Sequence, residues 1–174
     1  SPAMQRQLNL KVKFREGFRP FAPSMLREQL AEWFELDVDS PYMLLVADVA
    51  PAKRLPIAEA DTALTGLDKL GAVRSQIPAV THVDNSARVQ TVHADTNPLY
   101  HALISRFHDL TGCPLLVNTS FNVRGEPIVC SPGDAFRCFM ATDLDVLVIG
   151  RFMLLKDLQK PELRQEYHAA YELD

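Results

Sequence analysis

Four cations near the start of the chain are spaced to bind an anion. Lys11, Lys13 and Arg15 alternate with apolar residues over residues 8–15. This pattern predicts a strand with a cationic face, whose charges lie roughly 6 to 7 Å apart and match the reach of a phosphate chain. Arg19 follows a glycine turn and can fold back over that face. An alternative interpretation is an edge strand that uses Lys and Arg to block pairing with other chains.

A second polar cluster follows a predicted buried strand. The run Asn118-Thr119-Ser120-Phe121-Asn122 comes directly after the apolar residues 115–117. Open α/β sheets bind ligands at the carboxyl ends of their strands, where these hydroxyl and amide groups suit phosphate oxygens or a small planar group. The alternative is a polar turn, because Asn and Ser favour turns for conformational reasons.

The third cluster lies within residues 81–92. Arg88 and Gln90 share one face of a predicted strand and offer a guanidinium fork and an amide to a ligand. His82 can donate a hydrogen bond to a phosphate or carbonyl oxygen. We favour a structural role for His82, hydrogen-bonded to Asp84.

Metal binding and covalent catalysis find little support in the sequence. The five histidines show neither HxxxH nor HxH spacing, and no Ser, Cys or His stands in a nucleophile-elbow motif. Cys113, Cys130 and Cys138 form no CxxC pair, so neither a disulfide framework nor a zinc site is predicted.

Helices and strands alternate along the chain, which predicts an α/β class with a mixed sheet. The clearest helix begins at Asn97-Pro98 and ends before Gly112, with an apolar stripe of Leu99, Leu103, Ile104, Phe107 and Leu110. The other predicted elements are a helix over 25–36, a buried strand over 42–49, a surface excursion over 51–71, strands within 81–92 and 115–117, a helix over 131–140, a hairpin of 144–149 with 152–155, and a terminal helix or frayed end from 157.

Composition predicts one domain over residues 1–174. A hydrophobic content of 47% is enough for an ordinary core, and a net charge of −4 disfavours broad binding to nucleic acid or anionic membranes. No apolar run approaches the roughly 20 residues of a membrane span, so together with the unpaired cysteines we expect a cytoplasmic location. The patterned sequence starts close to Ser1, which indicates a domain excised from a longer chain.

Together the three clusters resemble the C-terminal domain of the O-carbamoyltransferase family that includes nodulation-factor, cephem and aminoglycoside enzymes. The resemblance runs from Leu8 to about Lys156 and rests on LNLKVKFREGFRPFAP at 8–23, THVD and ARVQTV within 81–92, and NTSFNVRGEPI at 118–128.

The resemblance implies a YrdC-like fold, an open twisted mixed sheet with flanking helices. The YrdC/Sua5 signature pairs Lys-x-Arg with Ser-x-Asn, which correspond here to Lys13 with Arg15 and to Ser120 with Asn122. In the family this fold binds ATP, with Mg²⁺, and carbamoyl phosphate, and it forms carbamoyl adenylate. The adenylate passes to a Kae1-like, metal-binding N-terminal domain that carbamoylates a hydroxyl. This sequence has no counterpart of that domain, so the fragment is not expected to bind its metal or to complete the transfer alone.

The resemblance also implies roles for individual residues. Lys13, Arg15 and Arg19 would be catalytic, because they would stabilise charge on phosphate oxygens in the transition state. Substrate binding would fall to Arg88 at a second anion subsite, to Asn118, Ser120 and Asn122 at the carbamoyl group and nucleotide phosphates, and to Lys11 and Arg124 in support.

Two other functions remain open at this point. A stand-alone threonylcarbamoyl-adenylate synthase shares the fold and both short signatures, although the continuation at 18–23 and the block at 81–92 look like the carbamoyltransferase branch. A non-catalytic module that docks RNA or an acidic partner is disfavoured by the acidic net charge.

Overall fold

The computed structural model describes residues 1–58, 61 and 63–164, apart from the side chains of residues 2 and 67. These residues form two compact units. Unit 1 comprises Ser1–Gln5 and Pro20–Thr119, and unit 2 comprises Arg6–Arg19 and the described residues of 120–164. The part of the predicted terminal element beyond residue 164 lies outside the described residues.

The regular elements confirm the predicted mixed α/β class. The α-helices are α1 (Pro2–Leu8), α2 (Leu30–Trp33), α3 (Pro98–Thr111) and α4 (Pro132–Ala141), with a π-helical turn at Asn9–Lys13. The strands are β1 (Ala22–Leu26), β2 (Leu45–Asp48), β3 (Ser86–Val92), β4 (Leu115–Asn118), β5 (Val146–Ile149) and β6 (Phe152–Leu155). No helix among the described residues is long and apolar enough to cross a membrane.

Unit 1 is built on a four-stranded sheet in the order β2-β3-β1-β4. β1 runs parallel to β3, with Ser24 opposite Gln90, and antiparallel to β4, with Ala22 opposite Asn118. β2 pairs antiparallel with β3, with Val46 opposite Arg88. Parallel and antiparallel pairs occur together, so the predicted mixed sheet is confirmed.

Helix α3 forms as predicted. The Asn97 side chain accepts a hydrogen bond from the Tyr100 amide, and Gly112 ends the helix at a φ of 74°. Ile104 is fully buried against Leu26 and Val92. The predicted apolar stripe is only partly correct, because Leu99, Leu103 and Leu110 are exposed.

Two predictions in unit 1 were wrong in detail. The helix over 25–36 is confined to Leu30–Trp33, because residues 22–26 form a fully buried strand between two partners. This tertiary pairing outweighs the helical period of the apolar residues. The strand over 42–49 shortens to Leu45–Asp48 and is mostly exposed, since β2 pairs only with β3 at the sheet edge.

Unit 2 contains α4 and the β5–β6 hairpin, both as predicted. The Ser131 hydroxyl accepts from the Asp134 amide at the start of α4. The hairpin reverses at Gly150, which has a φ of 57°. Phe139 and Leu147 are core residues that link helix and hairpin.

The predicted cationic strand over 8–15 was wrong. After α1, Asn9–Lys13 forms a π-helical turn, and Phe14 adopts a left-handed conformation with φ 48° and ψ 49°. Leu10 is exposed and Lys13 is buried, the reverse of what the alternation predicted. The local pattern failed here because Asn9 and Lys13 find hydrogen-bond partners inside unit 2.

Candidate functional site

Lys13 is the centre of the candidate site in unit 2. The residue is only 4% exposed. Its Nζ donates to the carbonyl oxygen of Ser120, and it lies 3.1 Å from Ser120 Oγ, 2.9 Å from the Asn122 carbonyl oxygen and 2.8 Å from Asn122 Oδ1. The Lys and the Ser-x-Asn of the two predicted signatures therefore meet, although more than 100 residues separate them in the sequence.

The surroundings of the Lys13 ammonium lower its pKa. Burial, and then the positive charge of Arg15, lower its pKa to about 8, while Cys138 and Glu126 act in the opposite direction. A buried cation loses hydration, and four oxygens replace it here. Lys13 is thus mostly charged at neutral pH but can titrate just above it.

The loop after β4 is fixed by bonds among its own residues. Ser120 Oγ donates to Asn122 Oδ1 at 2.7 Å, and Asn122 Nδ2 donates to the Glu126 carbonyl oxygen at 2.8 Å. The Val123 amide donates to Glu126 Oε2 at 2.9 Å. Each amide atom of Asn122 has a defined partner, so its orientation is set before any ligand arrives.

Phe14, which lies between Lys13 and Arg15, has a left-handed backbone conformation. This conformation costs about 1 kcal/mol or more for a residue other than glycine. The Phe14 ring packs against buried Val123 and Cys138, which offsets that cost. The backbone irregularity is therefore supported by the same loop whose oxygens bind Lys13.

Arg15 is held by a residue that the sequence analysis missed. Arg15 Nε donates to Asn9 Oδ1 at 2.7 Å, and Asn9 Nδ2 donates to the carbonyl oxygens of Gly17 and Arg19 at 3.2 and 2.8 Å. Asn9 is fully buried. Asn9 falls within the predicted strand over 8–15, and nothing in its sequence context indicated that its amide fixes the segment with both arginines.

The remaining cations of unit 2 are more open to solvent. Arg19 forms an exposed ion pair with Glu16, with Nε and Oε2 2.9 Å apart. Burial and then Arg19 lower the pKa of Arg15, so the arginine charges repel each other. Arg124 is half-buried, and its positive charge helps to lower the pKa of Glu16. Lys11 is exposed and borders an open groove beside α4 and the hairpin.

Arg88 and Asn118 lie in unit 1, on one face of its sheet. Gln90 Oε1 accepts from Ser24 Oγ at 2.5 Å and from Asn118 Nδ2 at 2.6 Å. Arg88 is exposed, and Gln90 and Asn118 are half-buried, so this end of the face reaches solvent. Gln90 was predicted to offer its amide to a ligand beside Arg88, whereas its bonds to Ser24 and Asn118 depend on a strand register that sequence alone does not reveal.

His82 has a structural partner, as favoured, although not the one expected. Its Nδ1 lies 2.9 Å from Ser86 Oγ, and that hydroxyl donates to Asp84 Oδ1 at 2.7 Å. Ser86 therefore stands between His82 and Asp84. Among the described residues, no group of three or more His, Cys, Asp or Glu side chains is arranged to hold a metal ion.

Comparison with known families gives the chain its assignment. The model of the carbamoyltransferase C-terminus matches residues 1–156. The chain belongs to the carbamoyltransferase C-terminus family. All the predicted site residues of both units fall within the matched region.

Named relatives of this family include transferases. The chain is 57% identical over 98% of its length to an uncharacterized protein of Synechocystis, 42% identical over 94% to nodulation protein NolO of Bradyrhizobium diazoefficiens, and 33% identical over 85% to a 3'-hydroxymethylcephem-O-carbamoyltransferase of Amycolatopsis lactamdurans. It covers 28%, 26% and 24% of these proteins, so it spans about a quarter of the length of the relatives it matches.

Proposed function

We propose that this chain forms carbamoyl adenylate from ATP and carbamoyl phosphate, as part of an O-carbamoyltransferase that acts on a hydroxyl of a small molecule. The observation that carries the proposal is the contact of Lys13 with Ser120 and Asn122. It joins a buried cation to a hydroxyl and an amide, the groups needed beside a carbamoyl group and a phosphate. Membership of the carbamoyltransferase C-terminus family supports the assignment.

The proposed chemistry requires no protein nucleophile. Water hydrolyses carbamoyl phosphate to carbamate and phosphate. A carbamate oxygen then attacks the α-phosphorus of ATP, and the bond to the bridging oxygen breaks as pyrophosphate leaves with its electron pair. Negative charge increases on the leaving and non-bridging oxygens, where fixed cations lower the barrier most effectively.

We assign this stabilising role to the cations of unit 2. The charge of Arg19 lies close enough to Arg15 to help lower the pKa of Arg15, so an arriving anion would relieve the repulsion between the two cations. Lys13 acts mainly by holding the loop that carries Ser120 and Asn122, because its Nζ already binds four oxygens of these two residues. Direct contact of Lys13 with a phosphate would require exchange of one of these oxygens.

Neutral groups are assigned to the carbamoyl end and to supporting positions. Ser120 and Asn122 would pair with the carbamoyl NH₂ and carbonyl, and Arg88 in unit 1 would form a second anion subsite. Lys11 and Arg124 would contribute weaker charge, from an exposed and a half-buried position respectively. Mg²⁺ bound with ATP would supply further positive charge at the phosphates.

Transfer to the acceptor is assigned to another part of the longer protein. We propose that a Kae1-like N-terminal domain with its own metal accepts the adenylate, since the relatives are roughly three and a half times as long as this chain. The purified 174-residue chain should then carbamoylate no hydroxyl by itself.

The proposal is tested by pyrophosphate release from ATP. We expect release by the 174-residue chain when carbamoyl phosphate is present and none without it. Release that depends instead on bicarbonate and threonine would indicate a threonylcarbamoyl-adenylate synthase. Salt-sensitive RNA binding without nucleotide affinity would indicate a binding module.

A further inference from the structure

Three polar side chains meet on the sheet of unit 1, one from each of three neighbouring strands. Ser24 is on β1, Gln90 on β3 and Asn118 on β4. The Gln90 oxygen accepts from both of the others, at 2.5 and 2.6 Å. Ser24 is fully buried, so its hydroxyl requires an internal partner.

The identity of each amide atom follows from a backbone carbonyl. Gln90 lies 3.0 Å from the Pro41 carbonyl oxygen, and a carbonyl can only accept. The Gln90 atom facing Pro41 is therefore Nε2, and the opposite atom is Oε1. Since Oε1 can only accept, the Asn118 atom that faces it is Nδ2.

The Pro41 carbonyl is itself held in place by its neighbour Ser40. The Ser40 amide donates to Thr91 Oγ1 at 2.9 Å, and its hydroxyl donates to the Val89 carbonyl oxygen at 2.8 Å. The Thr91 amide donates back to the Ser40 carbonyl oxygen at 3.0 Å. The Pro41 carbonyl, the Gln90 amide and the Asn118 amide thus form a hydrogen-bonded relay. Three hydrogen bonds anchor its start, beside Pro41, to β3.

The far end of the relay is an available acceptor. Among the described residues, Asn118 Oδ1 has no hydrogen-bond partner, and no side-chain oxygen without a partner is buried. Oδ1 therefore reaches solvent. An oxygen held in this way attracts hydrogen-bond donors and repels phosphate oxygens.

We propose that Gln90 is a positioning residue that fixes the Asn118 amide so that its oxygen accepts a hydrogen bond from an N–H or O–H group of the substrate. This inference rests on the proposed function. The donor belongs either to the carbamoyl NH₂ or to the adenosine part of ATP. Asn118 accordingly selects for a ligand donor and does not bind phosphate.

Three pairs of ligands, each differing by donor groups, locate the contact. They are carbamoyl phosphate with acetyl phosphate, ATP with 2′,3′-dideoxy-ATP, and ATP with purine riboside triphosphate. Calorimetry with the 174-residue chain gives the affinity ratio of each pair. We expect Gln90→Met to reduce one of these ratios roughly 5- to 10-fold, the loss of about one oriented hydrogen bond.

Two further variants separate positioning from simple structural support. Gln90→Glu keeps an acceptor for Asn118 Nδ2 but loses the donor to Pro41, so we expect it to preserve the ratio that Gln90→Met reduces even if it is less stable. Gln159→Met is the matched control, because Gln159 also donates to a backbone carbonyl, that of Leu155 in unit 2. It should leave all three ratios unchanged.

NMR of the ligand-free chain tests independently whether Gln90 orients the Asn118 amide. The Asn118 side-chain amide protons should show contacts to Gln90 in the wild-type chain and should lose a fixed orientation in Gln90→Met. Ratios unchanged within twofold in that variant, or a freely rotating Asn118 amide in the wild type, would overturn the inference alone. Failure of the wild-type chain to bind carbamoyl phosphate or ATP would overturn the proposed function and the ligand assignment together.

Discussion

The two units hold their candidate residues by different means. In unit 2, Lys13 and Arg15 flank a left-handed phenylalanine and depend on hydrogen bonds to Ser120, Asn122 and Asn9. In unit 1, Arg88 and Asn118 stand on regular strands whose register sets their positions. The stability of the irregular backbone in unit 2 should therefore depend strongly on single polar side chains, whereas the sheet of unit 1 should lose less stability when one side chain is removed.

The largest effect is expected from Lys13→Met. The substitution leaves the oxygens of Ser120 and Asn122 without their shared donor, so the free energy of unfolding should fall by about 2 to 3 kcal/mol. Urea denaturation measures this change. The control is Lys160→Met at an exposed position of unit 2, which should stay within about 0.5 kcal/mol of wild type. Equal stability of the two variants would refute the dependence of unit 2 on its buried cation.

Removal of the Asn9 amide should come next. Asn9→Leu deletes the acceptor for Arg15 and the donor to the Gly17 and Arg19 carbonyls, and a loss of about 2 kcal/mol is expected. The loop with Arg15 and Arg19 should also exchange its amide hydrogens faster. Unchanged exchange over residues 15–19 would contradict the role of Asn9.

The titration of Lys13 predicts a pH dependence of anion binding. Its pKa is lowered to about 8, so Lys13 is protonated below that pH and loses its charge as the pH rises through it. Carbamoyl phosphate affinity should therefore fall about tenfold between pH 7 and pH 9. Calorimetry at the two pH values measures the ratio, and Lys13→Arg should flatten it. A flat profile in the wild-type chain would show that Lys13 charge has no part in binding.

The smallest effect is expected in unit 1, where Asn97→Ala removes the cap of α3. This change should cost about 1 kcal/mol of stability, a usual value for an N-cap. Thermal unfolding measures the loss, and ligand affinity should remain within about twofold. A larger fall in affinity would indicate that α3, and not strand register alone, positions the candidate residues on the sheet.

The sequence predicted the elements whose signals are local. Asn97, Pro98 and Gly112 determine α3, and Ser131 and Gly150 mark the start of α4 and the turn of the hairpin. The strand over 8–15 failed because alternation cannot reveal that Lys13 and Asn9 are buried among distant polar groups. The helix over 25–36 failed for a similar reason, since β1 is fixed by two strands far along the chain.

The candidate site was predictable in its members but not in its connections. Residue type and spacing indicated a cationic and a polar cluster, and the resemblance to the YrdC/Sua5 signatures singled out Lys13, Arg15, Ser120 and Asn122 within them. The role of Asn9 was not predicted, and Gln90 was predicted to offer its amide to a ligand and not to neighbouring side chains, because both roles depend on which backbone carbonyl each amide faces. Such pairings arise from tertiary structure, and no periodicity in the sequence encodes them.

The central claim is that the Lys13, Ser120 and Asn122 cluster binds the carbamoyl substrate and does more than support the fold. Calorimetry of carbamoyl phosphate and ATP with Ser120→Ala tests it most directly, because the variant loses one hydroxyl while Lys13 keeps its bonds to the Ser120 and Asn122 carbonyls and to Asn122 Oδ1. We predict that carbamoyl phosphate affinity falls roughly tenfold while ATP affinity stays within about threefold. Unchanged affinity for carbamoyl phosphate, or a loss confined to ATP, would contradict the account.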